Sequence, residues 1–145
     1  MADLELLIQV YDLGKVNIPD HLVHSSLLRK SGELTEAEDK AIHRHPETGH
    51  RIASSSPELV GVADLILKHH ENFDGSGYPL GLKGEDIPVE CRILAIATAY
   101  SAMVNPRTYA KTFEKAKAIK ELQRYAGTQF DPELVERFSL IAKKL

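Results

Sequence analysis

Apolar residues recur three or four positions apart in several segments of this 145-residue chain, and this spacing restricts its fold more than any other feature. It places the apolar side chains on one face of an α-helix. The segments 57–70 and 89–104 are both of this kind, and the second is apolar on most of its sides, as buried helices are. At the amino-terminal end the pattern is formed by Leu4, Leu7, Ile8 and Tyr11. The sequence therefore predicts an all-α bundle of helices.

Residues that start and stop helices divide this bundle. Thr35 and Glu38 form a capping-box pattern, in which the two side chains satisfy free amides at a helix start. Pro46 disfavours helical geometry at the residue before it, so we expect a bend at His45 and a new helix beginning there. Asp131, followed by a proline and an acidic residue, should cap the last helix.

The remaining boundaries follow from glycines and prolines. The first helix should end near Leu13 because Gly14 follows it, and the segment 15–32 should hold a short helical turn under a loop. A helix should open at Pro57 and end at residues 69–70. The segment 73–88 contains four glycines and two prolines, which indicates one compact functional loop. Further helices are predicted over 89–104, 114–125 and 131–145.

Composition narrows the classes of function. The formal net charge is −3, which provides no broad basic surface for a nucleic acid. The single cysteine, Cys91, lies in an apolar run, so we expect a buried thiol in a reducing compartment. The chain has no leader-like start and no run of about 18 apolar residues. These features predict a cytoplasmic protein with no membrane partner, and the length predicts one domain over residues 1–145.

Several side chains could carry chemistry. His69 and His70 close a predicted helix beside the glycine-rich loop, where two neutral imidazoles can converge on a cation. They could equally stabilise the helix carboxyl terminus through its partial negative charge. Asp12 could simply form an ion pair with Lys15, three residues further on. For the other histidines a surface or packing role is the preferred interpretation: His21, His24, His43 and His50.

Five longer motifs decide between these interpretations, because in their order and spacing the chain closely resembles the HD-GYP family. They are Tyr-Asp-Leu-Gly-Lys at 11–15, His-Pro-Glu-Thr-Gly at 45–49, His-His-Glu-Asn-Phe-Asp-Gly-Ser-Gly-Tyr-Pro at 69–79, Gly-Leu-Lys-Gly-Glu-Asp-Ile-Pro at 81–88 and Gly-Thr-Gln-Phe-Asp-Pro at 127–132. The similarity spans nearly the whole chain. It implies an HD-domain helical bundle that holds two or three iron- or manganese-type metals, and in active members hydrolyses the bacterial messenger cyclic di-GMP.

The resemblance also implies roles for individual residues. Asp12 would bridge two metals, and His45, His69 and His70 would complete the ligands of one of them. Lys15 and Arg107 match positions that contact phosphate oxygens, and Lys15 is in addition the candidate catalytic residue. Arginine suits this task because its guanidinium binds phosphate through two hydrogen bonds.

The chain departs from the family pattern around the second metal. Tyr11 stands where the family has histidine, and Thr98 stands where it usually has an aspartate ligand. Neither a protonated phenol nor a neutral hydroxyl replaces such a ligand well. Ser101 replaces a common acidic residue, the Arg-Pro-Tyr motif with its following basic residue reads Arg-Thr-Tyr-Ala at 107–110, and the upstream helix that often supplies ligands is not expected here. We therefore predict one divalent metal, iron or manganese, an empty second site, and lost or much reduced phosphodiesterase activity.

The loop residues Gly77, Tyr78 and Pro79 are retained in full. In the family this loop is associated with docking onto diguanylate cyclase (GGDEF) domains and with shaping the site. A loop needed only for folding is an equal alternative. Two other functions stay open at this point: an active cyclic di-GMP phosphodiesterase, and a protein-interaction module that docks through this loop without metal.

Overall fold

The computed structural model describes residues 2–18, 35–105, 112–142 and 144. Within these ranges we number the α-helices in chain order. They are α1 (Ala2–Val10), α2 (Glu36–His43), α3 (His45–Ser54), α4 (Ala63–Lys68), α5 (Val89–Val104), α6 (Lys115–Arg124) and α7 (Pro132–Ala142), with 3₁₀ turns at Leu13–Asn17, Val60–Val62 and Gly84–Asp86. The described residues contain no strand, only an isolated bridge between Ala126 and Phe130, so the all-α prediction is confirmed. No helix in these ranges is both long and apolar enough to cross a membrane.

The chain forms two compact units. The first contains the described residues of 1–70 together with 78–80, and the second contains 71–77 together with the described residues of 81–145. Each unit has its own buried apolar residues. In the first unit these include Leu7, Ile42, Ala53, Val62 and Ile66.

In the first unit, α3 packs against α4 and against the 3₁₀ turn Leu13–Asn17. Two glycines make these two contacts possible. A Cβ on Gly14 would lie 1.8 Å from the carbonyl oxygen of His45, and a Cβ on Gly49 would lie 2.8 Å from Cγ2 of Ile66. Gly14 therefore serves close backbone approach, and the prediction that it follows a first helix ending near Leu13 is wrong, since α1 ends at Val10.

The predicted starts of α2, after the Thr35 cap, and of α3, at His45, are confirmed. The backbone amide of Glu38 donates to the Thr35 hydroxyl at 3.3 Å, and the Thr35 amide donates to the Glu38 carboxylate at 2.7 Å. After α2 the chain turns at Arg44, and α3 begins at His45 with Pro46 in its first turn. This bend places His45 at the start of α3, with its side chain buried.

The helix expected from Pro57 begins later than predicted. The amides of Leu59 and Val60 both donate to the carbonyl of Ser56, which forms a turn and then the 3₁₀ segment Val60–Val62. The backbone at Val62 has φ −108°, outside helical values, so α4 starts only at Ala63. It ends at Lys68, directly before the two histidines and one residue before the end predicted at residues 69–70.

The second unit contains α5, α6 and α7. Its core is formed by Ile96, Leu122, Phe130 and Val135. Cys91 is a buried free thiol, as predicted. Asp131 caps α7, because its Oδ1 accepts from the amides of Glu133 at 2.9 Å and Leu134 at 3.2 Å.

The segment 73–88, predicted as one compact loop, is irregular apart from the 3₁₀ turn Gly84–Asp86, but it is divided: residues 78–80 belong to the first unit and the others to the second. The amides of Phe73 and Asp74 donate to the carbonyls of Gln129 and Thr128. The buried Glu71 carboxylate accepts from the amide of Leu82 at 2.9 Å. These bonds hold the start of the segment to residues 128–129 and to residue 82.

Candidate metal centre

Asp12, His45, His69 and His70 form a cluster in the first unit. One ligand atom from each lies within 4.8 Å of every other. Asp12 precedes the 3₁₀ turn Leu13–Asn17, His45 opens α3, and His69 and His70 follow α4. The structure thus brings together all four residues for which the resemblance implies metal binding; their role as ligands remains a prediction.

Backbone carbonyls orient two of the imidazoles. Nδ1 of His45 lies 2.6 Å from the carbonyl oxygen of Ile42, and Nδ1 of His69 lies 2.6 Å from that of Ile66. A carbonyl only accepts, so we assign the proton of each neutral ring to Nδ1. Each ring then directs the lone pair of Nε2 into the cluster, and a backbone partner of this kind typically orients metal-binding histidines.

The Nε2 atoms lie so close together that the described residues cannot supply a hydrogen-bond donor to every Nε2 lone pair. Nε2 of His45 lies 3.3 Å from that of His69 and 3.0 Å from that of His70. A proton on Nε2 of His70 can bond to His45, but the lone pairs of His45 and His69 still face each other. Donors bonded to one small cation at about 2.0–2.2 Å lie at comparable separations.

Asp12 adds an anionic donor. Its Oδ1 lies 3.8 Å from Nε2 of His45 and 4.0 Å from Nε2 of His69. This oxygen is buried and has no hydrogen-bond partner among the described residues. The Lys15 ammonium lies 3.0 Å from it, an ion-pair distance without the angle of a hydrogen bond. An orphaned buried carboxylate oxygen beside three imidazoles fits a divalent cation.

Burial keeps the three imidazoles neutral. Desolvation, the largest cause, lowers the pKa of His69 to about 4, although its backbone hydrogen bond acts in the opposite direction. Burial also lowers the pKa of His70 well below its ordinary value, and it lowers that of His45. Neutral imidazoles are the form that binds metals.

The two predicted phosphate-contacting residues and the two residues that depart from the family pattern have separate environments. Lys15 is buried, and its ammonium pairs with Asp12, so the simple pairing weighed from sequence spacing is present, though not on an exposed helix surface. Arg107 lies outside the described residues. In the second unit the Thr98 hydroxyl donates to the carbonyl of Leu94 at 2.8 Å, with that of Ala95 at 3.2 Å. Tyr11 is half-buried and places its ring edge-on to His69.

Sequence reasoning missed contacts that the structure places around the cluster. Ile42 and Ile66 each precede a histidine by three residues, and that spacing at a helix end was the available signal for their carbonyls. Tyr78, predicted as part of a docking loop, stacks on the ring of His70. The ring of His43, for which the sequence predicted a surface or packing role, also contacts the ring of Tyr78. Gly77 and Pro79 are half-buried, and the Tyr78–Pro79 peptide bond is cis.

The chain matches a known protein family. The model of the HD domain family matches residues 2–134. The chain belongs to the HD domain family. HD domains are metal-dependent, and the four-residue cluster is a possible metal-binding group of this HD domain.

Curated relatives confirm the HD-GYP resemblance. The HD domain is 41% identical over 135 residues to the cyclic di-GMP phosphodiesterase response regulator RpfG of Xanthomonas campestris pv. campestris, covering 92% of this chain and 34% of that protein. It is 36% identical to a cyclic di-GMP phosphodiesterase of Thermotoga maritima, covering 100% of this chain and 39% of that protein. It is also 39% identical to the 3′3′-cGAMP-specific phosphodiesterase 2 of Vibrio cholerae, covering 88% and 24%. The chain thus spans between a quarter and two-fifths of the length of these relatives.

A solved structure has the same fold. The crystal structure of a cyclic GMP-AMP-specific phosphodiesterase of V. cholerae superposes with a TM-score of 0.67 and 21% identity, over 97% of this HD domain and 38% of that chain. At this identity the likeness shows the fold, an HD-domain helical bundle.

Proposed function

We propose that this chain is a degenerate HD-GYP domain of bacterial cyclic di-GMP signalling that binds one divalent cation and has little or no phosphodiesterase activity. The observation that carries the proposal is the convergence of Asp12 Oδ1 with three imidazole nitrogens within 4.8 Å. Iron or manganese is the proposed metal, in keeping with the family resemblance and with a ligand set of imidazoles and a carboxylate.

The protein groups at this centre have separable tasks. Backbone carbonyls hold Nε2 of His45 and His69 toward the centre, and burial keeps these rings neutral. Lys15 places a positive charge beside Asp12, where it could also meet an anionic phosphate. When bound, a divalent cation supplies Lewis-acid activation of water and shields the charge of a phosphodiester.

Two residue types support the loss of a second metal. Tyr11 is a phenol, which is protonated at neutral pH, whereas the family has an imidazole there. The Thr98 hydroxyl donates its hydrogen bond to backbone carbonyls of α5, and it carries no negative charge. The proposed domain therefore has fewer ligands than a two-metal centre needs.

The main alternative is an active cyclic di-GMP phosphodiesterase. It is supported by the names of relatives that are 36% and 41% identical to this chain. A further alternative, docking of the Gly77-Tyr78-Pro79 loop onto a diguanylate cyclase domain without metal, stays a prediction. So does the cytoplasmic location, which rests on the free thiol of Cys91.

Metal content and turnover, measured on the same anaerobic preparation, test the proposal. Elemental analysis should give one iron or manganese per chain, and chromatography of the nucleotides should show cyclic di-GMP left uncut. His69→Ala should abolish metal binding, whereas His50→Ala, a half-buried histidine of α3 outside the cluster, should retain it.

Other results would select an alternative. Two metals per chain with turnover that His69→Ala abolishes would establish the active phosphodiesterase. Metal-free protein that folds and binds a diguanylate cyclase domain as well as loaded protein does would establish the interaction module.

A further inference from the structure

Tyr78 contacts two histidine rings of the first unit. Its ring is stacked on His70, with centroids 5.1 Å apart and planes inclined by 14°. The ring of His43 has its centroid 4.3 Å away and its plane inclined by 45°. The backbone amide of Tyr78 also donates to the carbonyl of His70 at 3.2 Å. Side chain and backbone of Tyr78 therefore both contact one proposed metal ligand.

His70 is held differently from the other two histidines of the cluster. His45 and His69 each have Nδ1 2.6 Å from a carbonyl oxygen three residues earlier. For His70 the described residues provide one ring hydrogen bond, between its Nε2 and that of His45. Nε2 is the atom that must be available to a cation, so this bond cannot orient the ring once a cation is bound. Ring packing then fixes its plane. The His70 ring contacts those of His69 and His45, with centroids 4.1 and 4.7 Å away, and that of Tyr78, which is the stacked contact and comes from outside the cluster.

The His43 ring that contacts Tyr78 also has a backbone partner. Nδ1 of His43 lies 2.8 Å from the carbonyl oxygen of Asp39 in the preceding turn of α2. This hydrogen bond holds the His43 ring against its own helix, where it contacts Tyr78. The sequence of contacts runs from α2 through His43 and Tyr78 to His70.

We propose that Tyr78 is a positioning residue for the metal centre, which fixes the plane of the His70 imidazole through aromatic stacking in place of the backbone bond that the other histidines have. The inference rests on the proposed one-metal site and assigns the tyrosine of this loop a role inside its own domain. Aromatic rings favour offset-stacked contacts of this kind. Groups that orient a ligand commonly alter metal affinity by about 10–100-fold when they are removed.

Cobalt binding to the purified chain tests this role without reference to activity. Co²⁺ is titrated into metal-free protein, and the visible absorption of the bound ion gives both the affinity and the ligand geometry. Tyr78→Leu should weaken Co²⁺ binding by about 10-fold or more and change the spectrum. Tyr78→Phe keeps the stacked ring, so it should stay within about 3-fold of the unmodified chain and keep its spectrum.

A double-variant comparison separates positioning from a general effect on folding. In a His70→Ala background, Tyr78→Leu should cause no further loss of Co²⁺ affinity, because the ligand that it positions is gone. If Tyr78→Leu does not fold, Tyr78→Met replaces it, and NMR of the Zn²⁺-loaded unmodified chain should show upfield ring-current shifts of the His70 ring protons.

The two levels of the proposal fail in different ways. Unmodified protein that binds Co²⁺ tightly while Tyr78→Leu binds it equally well, with the same spectrum, would overturn the positioning role and leave the metal site intact. Unmodified protein that binds no Co²⁺ would overturn the metal site and the positioning role together. Equal losses in Tyr78→Phe and Tyr78→Leu would also overturn a role based on ring stacking.

Discussion

Nε2 of His45 lies 3.0 Å from Nε2 of His70, while Nδ1 of His45 is occupied by the carbonyl of Ile42. His45 therefore enters the cluster as an acceptor, and it is surrounded by two further imidazoles and a carboxylate. The Nε2 lone pairs of His45 and His69 face each other without a proton between them, so a cation that binds here stabilises the folded state.

Manganese should accordingly raise the stability of the unmodified chain. A ligand at about 100 times its Kd adds roughly 2.7 kcal/mol to the free energy of unfolding. His45→Ala removes the central acceptor, so Mn²⁺ should cause little or no increase in Tm for this variant. His50→Ala should respond as the unmodified chain does. Thermal unfolding at several Mn²⁺ concentrations measures the effect, and an equal increase for His45→Ala would show that the ion binds elsewhere.

Acid should destabilise the metal-free protein in the range where unfolded histidines gain protons. The pKa of His69 falls from 6.5 to about 4 on folding, chiefly through burial, and those of His45 and His70 are also lowered. Between these values the unfolded chain binds more protons than the folded chain, so stability is full above pH 6.5 and falls as the pH decreases toward 4. At about 1.4 kcal/mol per pKa unit, the loss should reach a few kcal/mol.

Urea unfolding of metal-free protein from pH 7.5 to 5 measures this dependence. Folding lowers the pKa of Glu58 and of Asp74 from ordinary values that already lie below this range, so these carboxylates add little to the slope. His69→Leu should give a shallower dependence than the unmodified chain. A free energy of unfolding that stays constant across the range would contradict the burial of neutral histidines.

Gly14 should tolerate no side chain. A Cβ at this position would meet the carbonyl oxygen of His45 at 1.8 Å and the amide nitrogen of Gly49 at 2.6 Å, and backbone atoms cannot move aside as a flexible side chain can. Gly14→Ala should lower the free energy of unfolding by about 3 kcal/mol or more. It should also weaken metal binding, since the turn that carries Asp12 must move away from α3.

Gly61→Ala is the matched control, because a Cβ there meets nothing within 4 Å and its φ is not positive. Its effect on the free energy of unfolding should stay within about 1 kcal/mol. Urea unfolding of both variants makes the comparison. Similar small effects for Gly14→Ala and Gly61→Ala would mean that the turn and α3 are not in close contact.

The sequence allowed prediction of those features that depend on local chemistry. The Thr35–Glu38 capping box, the bend before Pro46 and the Asp131 cap each involve residues within four positions of one another, so their partners are visible in the sequence. The predicted end of α1 was wrong because Gly14 serves a contact with α3. The predicted start of α4 was wrong because the Ser56 carbonyl accepts from two amides in a turn. Spacing alone does not reveal either.

In the candidate site, too, the motifs allowed prediction of the residues, whereas contacts between residues distant in sequence could not be predicted. Family motifs placed Asp12, His45, His69 and His70 in one group, and the structure brings them together. The stacking of Tyr78 on His70 joins residues whose intervening segment, 71–77, belongs to the second unit, so no helical or strand period indicated it. The burial of Lys15 was equally unpredictable, because a lysine three residues from an aspartate is ordinarily an exposed ion pair.

Two arginine pairs of the second unit provide a final prediction about stability. Arg92 donates to Asp131 at 2.6 Å and to the carbonyl of Ile87 at 2.9 Å, and the two paired side chains are only 16% and 7% exposed. Arg137 donates to Glu133 at 2.7 Å, but both of these side chains are 71% exposed. Breaking a buried pair leaves an uncompensated charge, whereas an exposed pair is replaced by water.

Arg92→Ala should therefore lower the free energy of unfolding by roughly 3 kcal/mol. Arg137→Ala should change it by no more than about 0.5 kcal/mol. Urea unfolding at low and high salt separates the two further, since salt screens exposed charges far more than buried ones. Equal losses for the two variants would mean that the Arg92–Asp131 pair is open to water, and the link it forms between the start of α5 and the cap of α7 would then contribute little to the second unit.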